Sequence, residues 1–282
     1  MRDGYEWARQ GGFARIGYVG DGQGCATGRT IGIAVKLSQA GIGDYWEDVD
    51  QYIRNHGVAM QFTPDDKEFL LGLTEGKPAP PDDPDKTTTN VINRFVGGFA
   101  GNPDKSRYYT VLQHPRKHGP LLRCRCDCTL PRWDRSTPWL DVDSYLPYEG
   151  KVVRKNKQAR EAFVRSPLWV DRAAVLAEVD GKQQTLAWFD NYLRFDGLKA
   201  GDVLTIEFPM VETTELWTIP KLGGWKAPDE QVHTCKFKGN TLVEISPPLV
   251  PGSPLCQRGH YLQAKTPMKQ VSRFATPAVI KW

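Results

Sequence analysis

A membrane-length apolar run, a disulfide framework and a long run of basic residues are all missing from this 282-residue sequence. No stretch approaches the ~20 apolar residues of a membrane-spanning helix, and the first residues carry no apolar signal core. Six cysteines in so long a chain do not make a disulfide scaffold. Lysine and arginine are scattered, so the net charge of +4 does not indicate a phosphate-binding groove. We therefore expect neither a nucleic-acid nor a membrane partner, and the compartment stays open.

The residues that are present indicate a globular protein rich in turns. Hydrophobic residues make up 40% and charged residues 25% of the chain, as in folded domains. The 27 glycines and 21 prolines suit short strands better than a helical bundle. Nine tryptophans could serve either as core residues or as surfaces that stack on sugar rings.

The N-terminal part predicts a helical hairpin. From Thr27 to about Gln61, apolar residues recur at helical spacing in two segments that Gly41-Ile42-Gly43 separates. Asp44, with Glu47 three residues later, predicts a capping box at the start of the second helix. Two helices cannot bury both apolar faces alone, so this hairpin needs packing partners.

The C-terminal part predicts short strands. Val175–Val179 precede Asp180-Gly181, a hairpin signal, and Val203–Phe208 alternate between apolar and polar residues. Thr234–Phe237 and Leu242–Ile245 add two more strands. This spacing is typical of an antiparallel β-sandwich. The Pro-rich residues 75–90 read as a linker or loop.

Three blocks of the sequence together resemble a known enzyme family. They are Gly24–Gly28 with Ile42–Asp50 and Arg54-Asn55, then Ser136–Gly150, then Val164–Val170 with Gly197–Asp202 and Glu207–Pro209. In order and spacing they are similar to bacterial glycoside hydrolases related to β-L-arabinofuranosidases. That resemblance implies an α+β chain, in which a partial helical-hairpin (α/α) barrel precedes an antiparallel β-sandwich. It also implies that most of the barrel belongs before Met1, so Met1 is not expected to be the native start.

The resemblance implies three segments and a carbohydrate partner. Residues 1–75 would be the last helices of the incomplete barrel, 76–136 a linker and irregular segment, and 137–282 the β-sandwich. The partner would be a plant-type oligosaccharide or polysaccharide. Association with a separately encoded N-terminal half, which would rebuild the barrel, is a further possibility.

The chemistry that the resemblance implies is a retaining glycosidase with a zinc-bound cysteine thiolate as nucleophile and a glutamic acid as general acid. The zinc ligands would be a Glu-x-Cys pair and two adjacent cysteines. Cys25 matches the cysteine of the pair, but Gln23 stands at the glutamate position, and a neutral amide is a poor ligand for a dication. The general acid would lie upstream. We therefore expect this chain to lack a complete active site and not to bind zinc.

The stretch from Val111 to Arg135 resembles neither of its flanks. Read one nucleotide later, with ordinary G- or C-ending codons, Val111–His114 becomes Cys-Cys-Asn-Thr, a double cysteine where the family needs one. We interpret the stretch as a shifted reading frame, later restored, with a genuine divergent loop as the alternative.

Cys124, Cys126 and Cys128 could converge on one face of a strand as a metal site, but no further ligand follows at a helpful distance. They could equally be a product of the shifted frame or free thiols. His114 and His118 have helical spacing, which Pro115 and Gly119 oppose.

The sequence context of the remaining candidate site residues, two aspartate pairs and two histidines, favours structural roles. Asp48 and Asp50 form one carboxylate pair, and Asp141 and Asp143 form another. Glycosidases use such pairs, but Asp48 falls in the first turn of a helix, Asp50 is expected on its solvated face, and the second pair fits a turn or strand edge. His56 and His233 are solitary and read as structural.

Two functions follow. The first is a fragment of a zinc- and cysteine-dependent glycoside hydrolase that is inactive as this chain. The alternative is a non-catalytic carbohydrate-binding or structural β-sandwich module, for which Trp169, Trp188 and Trp225 are the candidate sugar-stacking residues.

Overall fold

A computed structural model describes residues 2–10, 13–16, 24–57, 61–74, 91–94, 96–98, 126–129, 135–220, 230–248 and 257–268. The helices are α1 (Arg2–Gln10), α2 (Phe13–Ile16), α3 (Gly24–Gln39), α4 (Trp46–Tyr52), α5 (Pro64–Thr74) and α6 (Val91–Arg94). A π-helix, Ile53–Gly57, continues α4, and short 3-10 segments lie at Arg172–Ala174 and Gly259–Leu262.

Thirteen strands are described. They are β1 (Cys126–Thr129), β2 (Arg135–Ser136), β3 (Leu140–Ser144), β4 (Lys151–Asn156), β5 (Glu161–Arg165), β6 (Leu176–Val179), β7 (Lys182–Gln183), β8 (Ala187–Phe189), β9 (Tyr192–Asp196), β10 (Val203–Glu207), β11 (Glu212–Pro220), β12 (Glu230–Lys238) and β13 (Thr241–Ser246). Helices and mainly antiparallel sheets therefore occur together, and the predicted α+β class is confirmed.

The chain divides into two compact units, each built from separate stretches of sequence. Unit 1 comprises residues 1–33, 51–113 and 214–259, and unit 2 comprises residues 34–50, 114–213 and 260–282. The domain limits predicted from the sequence, 1–75, 76–136 and 137–282, stay a prediction.

Unit 2 contains a β-sandwich. One sheet has the order β1-β5-β9-β8 and the other β2-β3-β4-β10-β6-β7, and all described pairings are antiparallel except that of β1 with β5. Both sheets contribute buried apolar residues to one core: Leu140, Val142, Val152, Ala162, Val164, Ala177, Leu193, Phe195, Leu204 and Ile206. Alternate residues of a strand point to opposite faces, so the alternation in β10 places Leu204 and Ile206 in that core.

Unit 1 contains a three-stranded sheet, β11-β12-β13. Its core combines Ile16 of α2 with Cys235, Phe237, Leu242 and Ile245 of β12 and β13. The two strands expected at Thr234–Phe237 and Leu242–Ile245 are therefore present, but they form a sheet of their own instead of joining the sandwich.

The predicted break between α3 and α4 follows from one glycine. Gly41 adopts a left-handed conformation at φ +69°. The amide of Ile42 donates to the carbonyl of Leu37 (3.1 Å), and the amide of Gly41 donates to that of Ser38 (3.2 Å). These two bonds form a Schellman motif, which ends α3 where the sequence predicted. The Asp180-Gly181 hairpin between β6 and β7 is also confirmed, with both residues at positive φ.

Within the described residues, no helix combines the length and apolar character that crossing a membrane would need.

Candidate functional site

The zinc site implied by the resemblance can be located only in part. Cys25 belongs to the first turn of α3, whereas Gln23 lies outside the described residues. No group of three or more His, Cys, Asp or Glu side chains that could hold a metal occurs among the residues that the structure describes. One thiol and one neutral amide do not make a zinc donor set, so these residues do not fit the metal.

The other cysteine and histidine candidates lie largely outside the described residues. Cys126 and Cys128 belong to β1, which pairs in parallel with β5, and only their backbone is described. Cys124, His114 and His118 lie outside the described residues, as does most of the stretch that we interpret as a shifted reading frame.

The two carboxylate pairs have different surroundings. Asp141 lies 2.7 Å from the Lys157 ammonium and Asp143 lies 3.2 Å from that of Lys155, which fits the structural role predicted for them. The expectation that Asp50 lies on a solvated face is wrong, since its side chain is fully buried. The side of α4 that carries Asp50 is buried in the protein, although the spacing of apolar residues did not predict burial on that side.

A buried ion cluster connects residues 40–50 to the sandwich within unit 2. The guanidinium of Arg165, at the end of β5, is 1% exposed and donates from Nη1 to Oε2 of Glu47 (2.6 Å). Nη2 and Nε donate to Oδ2 of Asp44 at 2.9 and 3.3 Å. The amide of Leu168 donates to the other oxygen of Glu47 (3.4 Å). One arginine and one loop amide therefore hold both carboxylates that begin this helix.

This cluster corrects the predicted capping box. The amide of Trp46 donates to Oδ1 of Asp44 (3.2 Å), so Asp44 does cap the start of α4. The carboxylate of Glu47, which a capping box would turn back toward the cap residue, instead binds Arg165. A buried guanidinium attracts a carboxylate more strongly than a backbone amide does.

The electrostatics of Arg165 reflect two opposing effects. Burial lowers its pKa, but the nearby carboxylates of Glu47 and Asp44 outweigh burial and raise the pKa above its ordinary value. Arg165 therefore stays charged at every pH at which the protein folds, and the cluster depends on its carboxylates being ionised.

A second polar connection lies within unit 1, at the π-helix. The side-chain amide of Asn55 donates to the carbonyls of Arg15 and Asn240, both at 2.7 Å, and its oxygen accepts from the amide of Leu242 at 2.8 Å. These three hydrogen bonds join the π-helix to the β12–β13 hairpin and to α2. The guanidinium of Arg258 donates to the carbonyls of Arg54 (3.0 Å) and Asn55 (3.4 Å).

His56 lies in the same π-helix and is buried. Desolvation by burial, reinforced by the charge of Arg258, lowers its pKa to about 4. The imidazole is therefore neutral at physiological pH, and the structural role predicted for His56 agrees with its surroundings. His233 is also buried, and its Nδ1 lies 2.7 Å from the carbonyl of Pro247.

The blocks that carry the family resemblance thus supply these contacts. Asp44, Glu47 and Asn55 come from the first block and Arg165 from the third. The sequence analysis missed Arg165, because a single arginine in a short strand looks like an exposed residue. Its position could have indicated burial, because Arg165 comes directly before Ser166-Pro167. The strand ends there, and the arginine side chain can turn into the protein.

The comparisons with known proteins are limited. No family model and no curated protein matches this sequence. Similar solved structures include a GH127 β-L-arabinofuranosidase from Geobacillus stearothermophilus T6, at 12% identity and a TM-score of 0.43 over 77% of this chain. They also include a GH127 β-arabinofuranosidase (20%, 0.26, 36% of this chain) and a glycoside hydrolase (15%, 0.36, 70%). This chain spans 35%, 18% and 33% of their lengths, and similarity at this level does not assign its function.

Proposed function

We propose that this chain is a non-catalytic portion of a glycoside hydrolase of the β-L-arabinofuranosidase-like kind, acting on plant-type glycans, and that it is inactive alone. In this proposal residues 40–50, from the end of an (α/α) barrel, are held on the β-sandwich. The general acid is not among the residues of this chain, and a frame shift near Val111 removed the double cysteine.

The observation that carries the proposal is the ion cluster around Arg165. Blocks separated by more than a hundred residues resemble the family in order and spacing, and their polar residues meet in one buried cluster. Glu47 would then be retained because its contact with Arg165 holds residues 40–50 on the sandwich. A buried charge that lacks its partner is costly, so such residues tolerate substitution poorly.

The test compares three proteins for zinc content and for hydrolysis of a chromogenic β-L-arabinofuranoside. They are this chain, the chain with the reading frame restored from Val111 to Arg135 and Gln23→Glu, and the latter joined to the upstream sequence of its locus. We expect zinc in the second and third proteins, whose zinc-bound cysteines should give a cobalt–thiolate absorption band after metal exchange, and hydrolysis only in the third, which adds the general acid. Hydrolysis by this chain alone, or a locus with no upstream frame and no indel, would overturn the proposal.

The alternative function, a carbohydrate-binding sandwich, receives mixed support from the tryptophans first considered for it. Trp169 is half-buried and packs edge-on against Phe208 at 5.7 Å. Trp188 is half-buried, with the Arg172 guanidinium 5.3 Å from its ring. Trp225 lies outside the described residues. Neither described indole is a flat exposed platform, so sugar binding would need another surface.

A further inference from the structure

A cleft of about 360 Å³ lies within unit 2, beside the sandwich. Its lining combines the charged residues Glu149, Lys151 and Glu207 with apolar residues that include Leu176 and Phe208. Glu207 lies opposite Lys151 on one neighbouring strand and opposite Leu176 on the other. Leu176 is 52% exposed. A ligand could therefore reach polar and apolar groups at the same time.

The charged side offers both hydrogen-bond donors and acceptors. The ammonium of Lys151 lies 2.8 Å from Oε1 of Glu207, and Oε1 of Glu149 accepts from the amide of Thr266 (2.9 Å). Among the described contacts, each carboxylate uses one of its two oxygens. The second oxygens can accept from hydroxyl groups, and the ammonium has further protons to donate.

Two tyrosines are neighbours of these charged residues, one in space and one in sequence. The ring of Tyr145 lies 5.7 Å from the ammonium of Lys151. Tyr148, next to Glu149 in sequence, packs edge-on against Tyr261 at 5.4 Å. Tyrosine combines an apolar face with a hydroxyl group, which suits contact with both the C–H face and the hydroxyls of a sugar.

The backbone at the bottom of the cleft is closely packed. The amide of Phe208 donates to the carbonyl of Gly150 (2.8 Å), and a Cβ at Gly150 would lie 1.9 Å from the Phe208 carbonyl oxygen. Only glycine permits this approach, which joins the loop that carries Glu149 to the end of β10. A binding surface built on such fixed backbone loses little entropy on binding.

We propose that this cleft binds a neutral oligosaccharide. Two carboxylates disfavour an anionic ligand, and the ammonium of Lys151 disfavours a metal cation. A neutral ligand with many hydroxyls uses donors and acceptors in equal measure and places its C–H faces on the apolar side. The choice of a plant-type glycan rests on the proposed function, whereas neutrality and the need for hydroxyls come from the cleft.

The test uses the full chain and titrates it with arabinohexaose and xylohexaose, measured by calorimetry. Lys151→Met removes a donor of the cleft. Lys155→Met is the matched control, because Lys155 lies on the same strand, is 60% exposed and also pairs with a carboxylate, Asp143. We expect Lys151→Met to weaken binding by about tenfold, the loss of one hydrogen bond to a charged group, and Lys155→Met to leave binding unchanged.

Three results would overturn the proposal. They are no binding of either hexaose at millimolar concentration, equal effects of the two lysine substitutions, or an affinity that falls steeply with salt, which a neutral ligand does not show. Glu149→Gln provides a second variant should Lys151→Met fail to fold, and it should also weaken binding. Hydrolysis by the completed protein tests the proposed function separately, so either idea can fail alone.

Discussion

Replacing Arg165 by methionine should destabilise the protein far more than any exposed ion pair would suggest. The substitution keeps much of the side-chain volume but removes a guanidinium that is 1% exposed. Glu47, whose side chain is 8% exposed, would then keep a buried carboxylate without its charged partner. Removing one member of a buried ion pair costs about 3–5 kcal/mol, and we expect a loss of this size in the free energy of unfolding.

Substitutions of the two partners of Arg165 should change the free energy of unfolding by different amounts. Asp44 is 36% exposed, so water screens its share of the cluster and Asp44→Asn should cost at most about 1 kcal/mol. The double substitution Arg165→Met with Glu47→Leu removes both buried charges. It should be more stable than Arg165→Met alone, because replacing a whole buried pair by apolar groups is often neutral.

The assay is urea unfolding followed by circular dichroism, with amide exchange at Val164–Leu168 as a local readout. Arg194→Met is the control, since Arg194 is 48% exposed and pairs with Glu161 of the same sandwich sheet at 2.7 Å. If Arg165→Met costs no more than Arg194→Met, or if the double variant is less stable than the single one, then the cluster does not hold residues 40–50 to the sandwich.

Three further predictions concern other buried groups. The pKa of His56 lies near 4 when folded and 6.5 when unfolded, so the unfolded chain binds more protons between these values. Stability should be complete above about pH 6.5 and fall by up to about 3 kcal/mol as the pH drops to 4; unfolding titrations should show a smaller slope for His56→Gln than for the unsubstituted protein. Gly150→Ala should lower the unfolding free energy by about 1–3 kcal/mol, because the new methyl group meets a backbone carbonyl, whereas Gly72→Ala, in open space on a helix, should not lower it. Asn55→Ala removes three side-chain hydrogen bonds to backbone groups, two of them buried, and should cost about 3 kcal/mol in urea unfolding; a cost below about 1 kcal/mol would contradict the structural role of the π-helix.

The sequence by itself determined the local elements of this protein. The break after α3 was predictable because glycine adopts a left-handed conformation at little cost, and Gly41 does so at φ +69°. The strand at Val203–Glu207 was predictable because its apolar and polar residues alternate. A period of two places all the apolar side chains on one face of a sheet, which can then be buried. Such features depend on neighbours along the chain, and the α+β class follows from them.

Tertiary structure alone decided which elements share a core and which charges are buried. The strands β12 and β13 were predicted in the same way as those of the sandwich, yet they form a separate sheet with β11, in the order β11-β12-β13, and pack on α2. An alternating pattern predicts that one face of a strand is buried, but it does not predict which other element covers that face. Asp50 and Arg165 were misjudged or missed for the same reason. The stability of a buried charge comes from partners distant in sequence, and for Arg165 those partners, Asp44 and Glu47, lie more than a hundred residues away.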